Sequence, residues 1–122
     1  AELREIARLV GAEALSPRDR LAMETSRSIR EDYLHQNAFH AVDTYTSLEK
    51  QYEMLKTVLH FHHAGLAAIE AGVETSAIAR LAVREDIARA KYIPQEEIGK
   101  IRQIRVRIDD QMRQLEGAVA AK

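Results

Sequence analysis

Seven apolar residues near the end of the chain, Ile98, Ile101, Ile104, Ile108, Met112, Leu115 and Val119, recur in steps of three and four. That spacing puts all of them on one face of a helix. A helix of this length cannot hide such a face by itself, so the chain must pack it against other elements. Pro94 suits the opening of this helix, with Glu96 and Glu97 in its first turn. Its other face is expected to carry Arg102, Arg105, Arg107 and Arg113.

A second long pattern precedes it. Leu48, Tyr52, Leu55, Leu59, His62, Leu66 and Ile69 alternate in steps of four and three, and Met54, Val58 and Phe61 add another apolar strip. A helix apolar around so much of its circumference belongs at the centre of a bundle. Thr46 and Glu49 have capping-box spacing at its start, and Gly72 ends it. Upstream, Leu3, Ile6, Leu9 and Val10 repeat at helical spacing before Gly11. Ser16 as cap, Pro17 at the first helical position and Asp19 in the first turn then predict a helix from Pro17 to Leu34. Its stripe of Ala22, Ser26, Ile29 and Tyr33 is mostly small and would admit a close neighbour. The run "ETSAIARLAVREDIARAKYIP" reads as two short helices broken near Ala82 and Val83. The fold expected is all-α, a helical bundle of five or six helices forming a single domain over residues 1–122.

Bulk properties narrow the function. The chain is 46% hydrophobic and 30% charged with a formal net charge of -1, so no overall field draws it to nucleic acid or anionic lipid. Residues 1–74 are net acidic and residues 75–122 net basic. There is no cysteine, hence no disulfide framework and no thiolate metal site. No apolar run approaches the roughly 20 residues of a membrane-spanning helix. No secretory signal is visible, and a start already in helical pattern without Met suggests that the natural sequence begins further upstream.

Several candidate sites compete with plainer roles. The Gly99-Lys100 pair follows a proline and sits within a helix, so it is no phosphate loop. "HFHH" at 60–63 suggests metal, but a di-metal bundle needs paired Glu-x-x-His motifs and none occurs. The expectation is no metal site, with His60 and His63 at or near the surface and His62 on the packing face. "TSAIARLAVREDIARAKY" imitates a helix-turn-helix, but its second helix begins with Glu85 and Asp86, which repel phosphate. That leaves "YLHQNAFHAVDTY", residues 33–45, too polar for a core strand and without glycine. Tyr33, Phe39 and Tyr45 suit a core. Phe39, however, lies in this irregular segment beside Gln36 and Asn37. A flat ring with neighbouring amides can stack on a nucleobase and bond its edge.

The run "LVGAEALSPRDRLAMETSRSIREDYLHQNAFHAVDTYTSLEKQYEMLKTVL" closely resembles the C-terminal helical domain of the catalytic A subunit of vacuolar/archaeal-type rotary ATPases. "SIREDYLHQNAFHAVDTY" is its most specific part, and "AIEAGV" and "AVREDIARAKYIP" extend the likeness, which weakens in the final helix. The F-type beta chain is a more distant parallel. There a negatively charged loop, a helix and an adenine-pocket phenylalanine follow in the same order. The loop here is less acidic, with Glu13 and Asp19 set among Arg18 and Arg20.

The resemblance implies an enzyme whose ATP chemistry resides elsewhere. The Walker lysine, the magnesium-binding hydroxyl and the catalytic glutamate belong to an upstream P-loop domain, and an arginine finger to the non-catalytic B subunit. ATP or ADP with magnesium would bind the full-length protein; the present chain alone would hold neither tightly and would be inactive. By similarity, Phe39, Gln36, Asn37 and Ala38 border the adenine. The loop of Glu13, Ala14, Leu15, Ser16, Pro17 and Arg18 faces the central rotor stalk. The Pro17–Leu34 helix, roughly 27 Å long at α-helical rise, links the two as a lever. The complex would sit on the cytoplasmic face of a membrane and move protons or sodium. Two other classes stay open on residues alone: a free-standing helical interaction module, and a helix-turn-helix DNA-binding domain.

Overall fold

A computed structural model describes residues 15–34 and 47–121, apart from the side chains of 32–34. The expected first helix with its Gly11 stop, Glu13, Ala14, the Thr46 cap and the whole 35–45 segment lie outside the described residues. Within them the chain is all-α, with no strand. Five helices appear: α1 (Pro17–Ser28), α2 (Leu48–Glu70), α3 (Thr75–Ala79), α4 (Val83–Ala88) and α5 (Gly99–Ala120). A π-helical turn, Ile29–Leu34, continues α1, and two 3-10 turns, Ala90–Tyr92 and Gln95–Glu97, bridge α4 to α5.

The pair α2–α5 is the spine, with α1 laid on α2 and the short α3 and α4 closing against α5, α1 and α2. The α5 stripe is placed as its periodicity requires: Ile101, Ile104, Ile108 and Met112 are buried, with Ile98, Leu115 and Val119 packed at the margin. Each fully buried isoleucine is worth about 1.5–3 kcal/mol of removed apolar surface. Pro94 begins a 3-10 turn that leads into this helix and is not its first residue.

Two expected faces are corrected. On α2 the buried face is Met54, Val58, Phe61 and Ala68, together with Lys50, Glu53, Thr57 and Gly65. The longer stripe is divided: Leu48 is 82% exposed, Tyr52 60% and Leu59 39%, whereas Leu55 and His62 are half-buried and Leu66 and Ile69 pack against the core. On α1 the inner residues are Leu21, Thr25 and Ser28, whereas Ser26 faces out. Close approach of α1 to α2 comes from Gly65 and not from a small-residue stripe on α1. A β-carbon at Gly65 would sit 2.8 Å from Leu21 Cδ2.

The chain reverses after α2 through Gly72, whose φ of +98° is open to glycine and strained for other residues. The N–H of Val73 bonds back to the Ala68 carbonyl at 3.0 Å, closing the helix end. A β-carbon on Gly72 would also press on Val119 Cγ1 at 3.2 Å. Gly72→Ala is therefore expected to lower unfolding stability by about 1–2 kcal/mol, read as a shift of the urea midpoint at constant slope.

Candidate nucleotide and rotor contacts

The expected site has two parts joined by α1. At the near end, Ser16 caps α1, its hydroxyl accepting from the Asp19 N–H at 3.2 Å, with Pro17 at the first helical position. Leu15 is turned into the core, 8% exposed. Ser16, Pro17 and Arg18 face outward. Arg18 reaches Glu70 at the end of α2 at 3.7 Å, with both side chains more than 60% exposed, so the pair adds little stability. The structure thus splits the predicted loop into a buried anchor and an outward surface.

At the far end α1 passes into the π-helical turn Ile29–Leu34 and then into 35–45. A π-turn bonds each N–H one residue further back than an α-turn does. It therefore rotates everything that follows relative to an α-helical continuation. Gln36, Asn37, Ala38 and Phe39 lie outside the described residues.

Between its ends α1 is tied sideways. The Thr25 hydroxyl meets His62 Nδ1 on α2 at 2.7 Å. Glu24 accepts from Arg84 on α4 at 2.7 Å and from Arg27 at 2.8 Å. The Arg84 guanidinium also lies over the Phe61 ring, 5.7 Å from its centroid. Beside this ion pair a cleft of about 250 Å³ opens among Leu21, Met23, Phe61 and Ile78.

The start of α2, where the chain returns from 35–46, is held by polar groups. Ser47, not Thr46, is the cap: its hydroxyl accepts from the Lys50 N–H at 3.0 Å and donates to Gln95. Gln95 donates onward to Glu49 at 3.2 Å, and Arg102 approaches Glu49 at 3.4 Å and Glu53 at 3.3 Å. Lys50, 2% exposed, donates from Nζ to the Lys91 carbonyl at 2.7 Å. Arg105, expected on an outer face, instead donates to the buried Glu53 carboxylate at 2.7 Å and to the Thr57 hydroxyl at 3.0 Å.

The other candidates resolve into structural roles. The histidines of "HFHH" do not converge: His60 bonds Asp109 at 2.8 Å, His62 bonds Thr25, and His63 is exposed. Among the described residues no cluster of three or more His, Asp or Glu could hold a metal. In the helix-turn-helix mimic the break falls at Arg80–Ala82, slightly before the expected Ala82–Val83, and Val83 opens the second helix. Its second helix has six residues, and its charges are engaged: Arg84 with Glu24, Asp86 with Arg107 at 3.2 Å, and Glu85 with Arg89 at 3.7 Å. No described helix is long and apolar enough to cross a membrane.

Residues 1–79 match the family described as the C-terminal domain of V and A type ATP synthase. The chain belongs to that family. The V-type ATP synthase alpha chain of Acetivibrio thermocellus is 62% identical over 98 residues, which are 80% of this chain and 17% of that protein. The alpha chain of Clostridium perfringens SM101 is 54% identical over 121 residues, 98% of this chain and 20% of that one. The V-type ATP synthase alpha chain of Thermoanaerobacter pseudethanolicus is 53% identical over 121 residues, 98% of this chain and 20% of that one. The chain thus spans about a fifth of the length of these relatives.

For this ATP synthase domain, the groups missed by sequence reasoning are Lys50, Glu53, Thr57 and Arg105. Their only signal was position: Lys50, Glu53 and Thr57 fall in step with Met54, Val58 and Phe61. Three of the bonded groups titrate away from their ordinary values. Burial works to raise the Glu53 carboxyl, but Arg105 and Arg102 outweigh it and hold it low. Burial likewise opposes Arg84 and Arg27 at Glu24, and the arginines prevail. Burial, aided by the neighbouring His63, lowers His62.

A group depressed in the fold contributes fully above its unfolded value, and that contribution fades as pH falls toward the folded value. The His62 contribution therefore begins to fade below about 6.5 and those of Glu24 and Glu53 below about 4.5. Thermal midpoints of the chain are expected to fall in two stages on acidification. His62→Gln should flatten the upper stage and leave the lower.

Proposed function

We propose that this chain is the C-terminal domain of a catalytic A subunit in a rotary ATPase that couples ATP hydrolysis or synthesis to proton or sodium transport. It closes the adenine side of the nucleotide pocket and passes motion to the central rotor. The observation that carries this is α1 with its π-turn. One continuous helical rod runs from the outward face of Ser16, Pro17 and Arg18 to the start of the 35–45 segment. The Thr25–His62 bond and the Leu21–Gly65 contact bind that rod to α2 along its middle. Such a rod moves as one body with the bundle and does not flex between its ends.

In this reading Phe39 stacks on or edges the adenine, with Gln36, Asn37 and Ala38 beside it. Phosphates and magnesium are held by an upstream P-loop domain of the same polypeptide, and no residue of this chain is assigned to either. Glu13, Ala14, Leu15, Ser16, Pro17 and Arg18 form the rotor end, with Leu15 as its internal anchor. The partners are the rotor stalk and the non-catalytic B subunit, and the assembly works on the cytoplasmic face of the membrane. Nucleotide shifts the domain only as far as it binds the closed position more tightly than the open one. Contact between the base and residues 36–39 supplies that difference.

In the full-length protein joined to its partners, Phe39→Ala is expected to raise the KM for ATP about five-fold or more, the loss of one base–aromatic stack. Steady-state ATPase assays read this, and an unchanged KM removes Phe39 from the pocket. Paired Ala22→Gly and Ser26→Gly substitutions loosen α1 at about 1 kcal/mol or less each. They are expected to reduce ATP-driven ion transport more than ATP hydrolysis. Equal loss of both marks simple destabilisation.

A further inference from the structure

The cleft of about 250 Å³ between α1, α2 and α3 has no part in the nucleotide and rotor roles. Its apolar walls are Leu21 and Met23 of α1, Phe61 of α2 and Ile78 of α3. Leu21, Phe61 and Ile78 belong to the buried core, so packing fixes three of the four walls. Glu24 and Arg84 line the same cleft. Arg84 and Arg27 both bond Glu24 at Oε2, at 2.7 and 2.8 Å, so Oε1 keeps its capacity to accept. Burial works to raise this carboxyl, but the arginines hold it low, and it is ionised at neutral pH. An apolar slot beside a charged acceptor with a displaced titration is the usual form of a small-ligand site.

We propose that this cleft binds a small, neutral aromatic molecule with an N–H donor, of the indole type, its ring among Leu21, Met23, Phe61 and Ile78 and its N–H on Glu24 Oε1. The lining dictates each part of that chemistry. The volume falls just below the range of about 300–1,000 Å³ common to ligand pockets, which suits one or two fused rings without a tail. The Met23 thioether and the Phe61 ring favour an aromatic guest over an aliphatic one. A cationic head is disfavoured because Arg20 and Arg84 also line the cleft. An anionic head would meet Glu24, and the charge of Arg84 is already matched by that carboxylate. A neutral donor bonds Oε1 and leaves the Glu24–Arg84 pair intact. The guest touches α1, α2 and α3 at once, so its binding braces α1 against the bundle.

The test titrates indole into the chain and follows its methyl groups by NMR. Leu21, Met23, Ile78 and Ala79 line the cleft, and their signals are expected to shift and saturate together. The expected dissociation constant is about 1 mM, the strength open to a ligand of about nine non-hydrogen atoms. Leu48 and Val106 on the surface and Ile93 in a second cleft beside Tyr92 serve as reporters elsewhere and should stay still. N-methylindole keeps the ring and lacks the donor, so it should bind about ten-fold more weakly. N-acetyltryptophanamide carries the ring on a peptide tail and should also bind more weakly than indole. Met23→Gln keeps the side-chain length at a half-buried position and should weaken indole about three-fold or more.

Equal shifts at Leu48, Val106 and Ile93, or shifts that rise without saturating, mark unspecific contact and overturn the proposal. Equal affinity for N-methylindole removes Glu24 from the site and overturns the assigned chemistry, and unchanged affinity in Met23→Gln does the same for the ring's place. Tighter binding of N-acetyltryptophanamide gives the cleft to a tryptophan side chain of a partner protein and overturns the small-molecule assignment. Should Met23→Gln fail to fold, the two comparison ligands decide the matter on the unaltered chain.

Discussion

A carboxylate held out of water has to be matched, and Glu53 is the one on which the α2–α5 spine turns. Apolar stripes along helices of 23 and 22 residues fit one another nearly as well after a slip of one turn. The ion pair does not. A slip of one turn would break the set of bonds that Arg105 makes to the Glu53 carboxylate and the Thr57 hydroxyl, and the Arg102 contact to the other Glu53 oxygen with it. The apolar face supplies most of the attraction between α2 and α5, while Glu53, Thr57 and Arg105 choose the register. Everything packed on that spine, α1 through Thr25 and His62 and α4 through Gln111 and Val83, inherits the choice.

The α5 helix was readable because one stripe competed with nothing: its other faces carry Arg, Gln and Asp. The start of α1 was readable too, since Ser16, Pro17 and Asp19 each meet a local demand of a helix start. The inner face of α2 was not. That helix has two apolar strips, and periodicity ranks them by count, where Leu48, Tyr52, Leu55 and Leu59 win. Burial followed the shorter strip because Gly65 and Ala68 on the same side let α1 and the other helices approach closely. Lys50 and Glu53 ride inward with it, an arrangement that only their distant partners make affordable.

The same limit applies to the candidate site. The Ser16 cap and the helix it opens follow from neighbours in sequence, and the break before Val83 nearly so. The π-turn at Ile29–Leu34 does not; "IREDYL" has no proline or glycine to announce it. Nor do contacts between residues some fifty positions apart, such as Arg105 with Glu53. The nucleotide role proposed for Gln36, Asn37, Ala38 and Phe39 rests on resemblance, and no periodicity could have supplied it.

The elements that flank residues 35–46 are held by different physics. Upstream, α1 is tied to α2 by the Thr25–His62 bond, the exposed Arg18–Glu70 pair and the buried Leu21 against Gly65, and to α4 by the Glu24–Arg84 pair. Downstream, the first turns of α2 are fixed by charge-assisted bonds of Arg105 to Glu53 and of Lys50 to the Lys91 carbonyl. A load on Ser16, Pro17 and Arg18 therefore passes from α1 into α2 and α4 at several points along its length, as a rod that moves with the bundle requires.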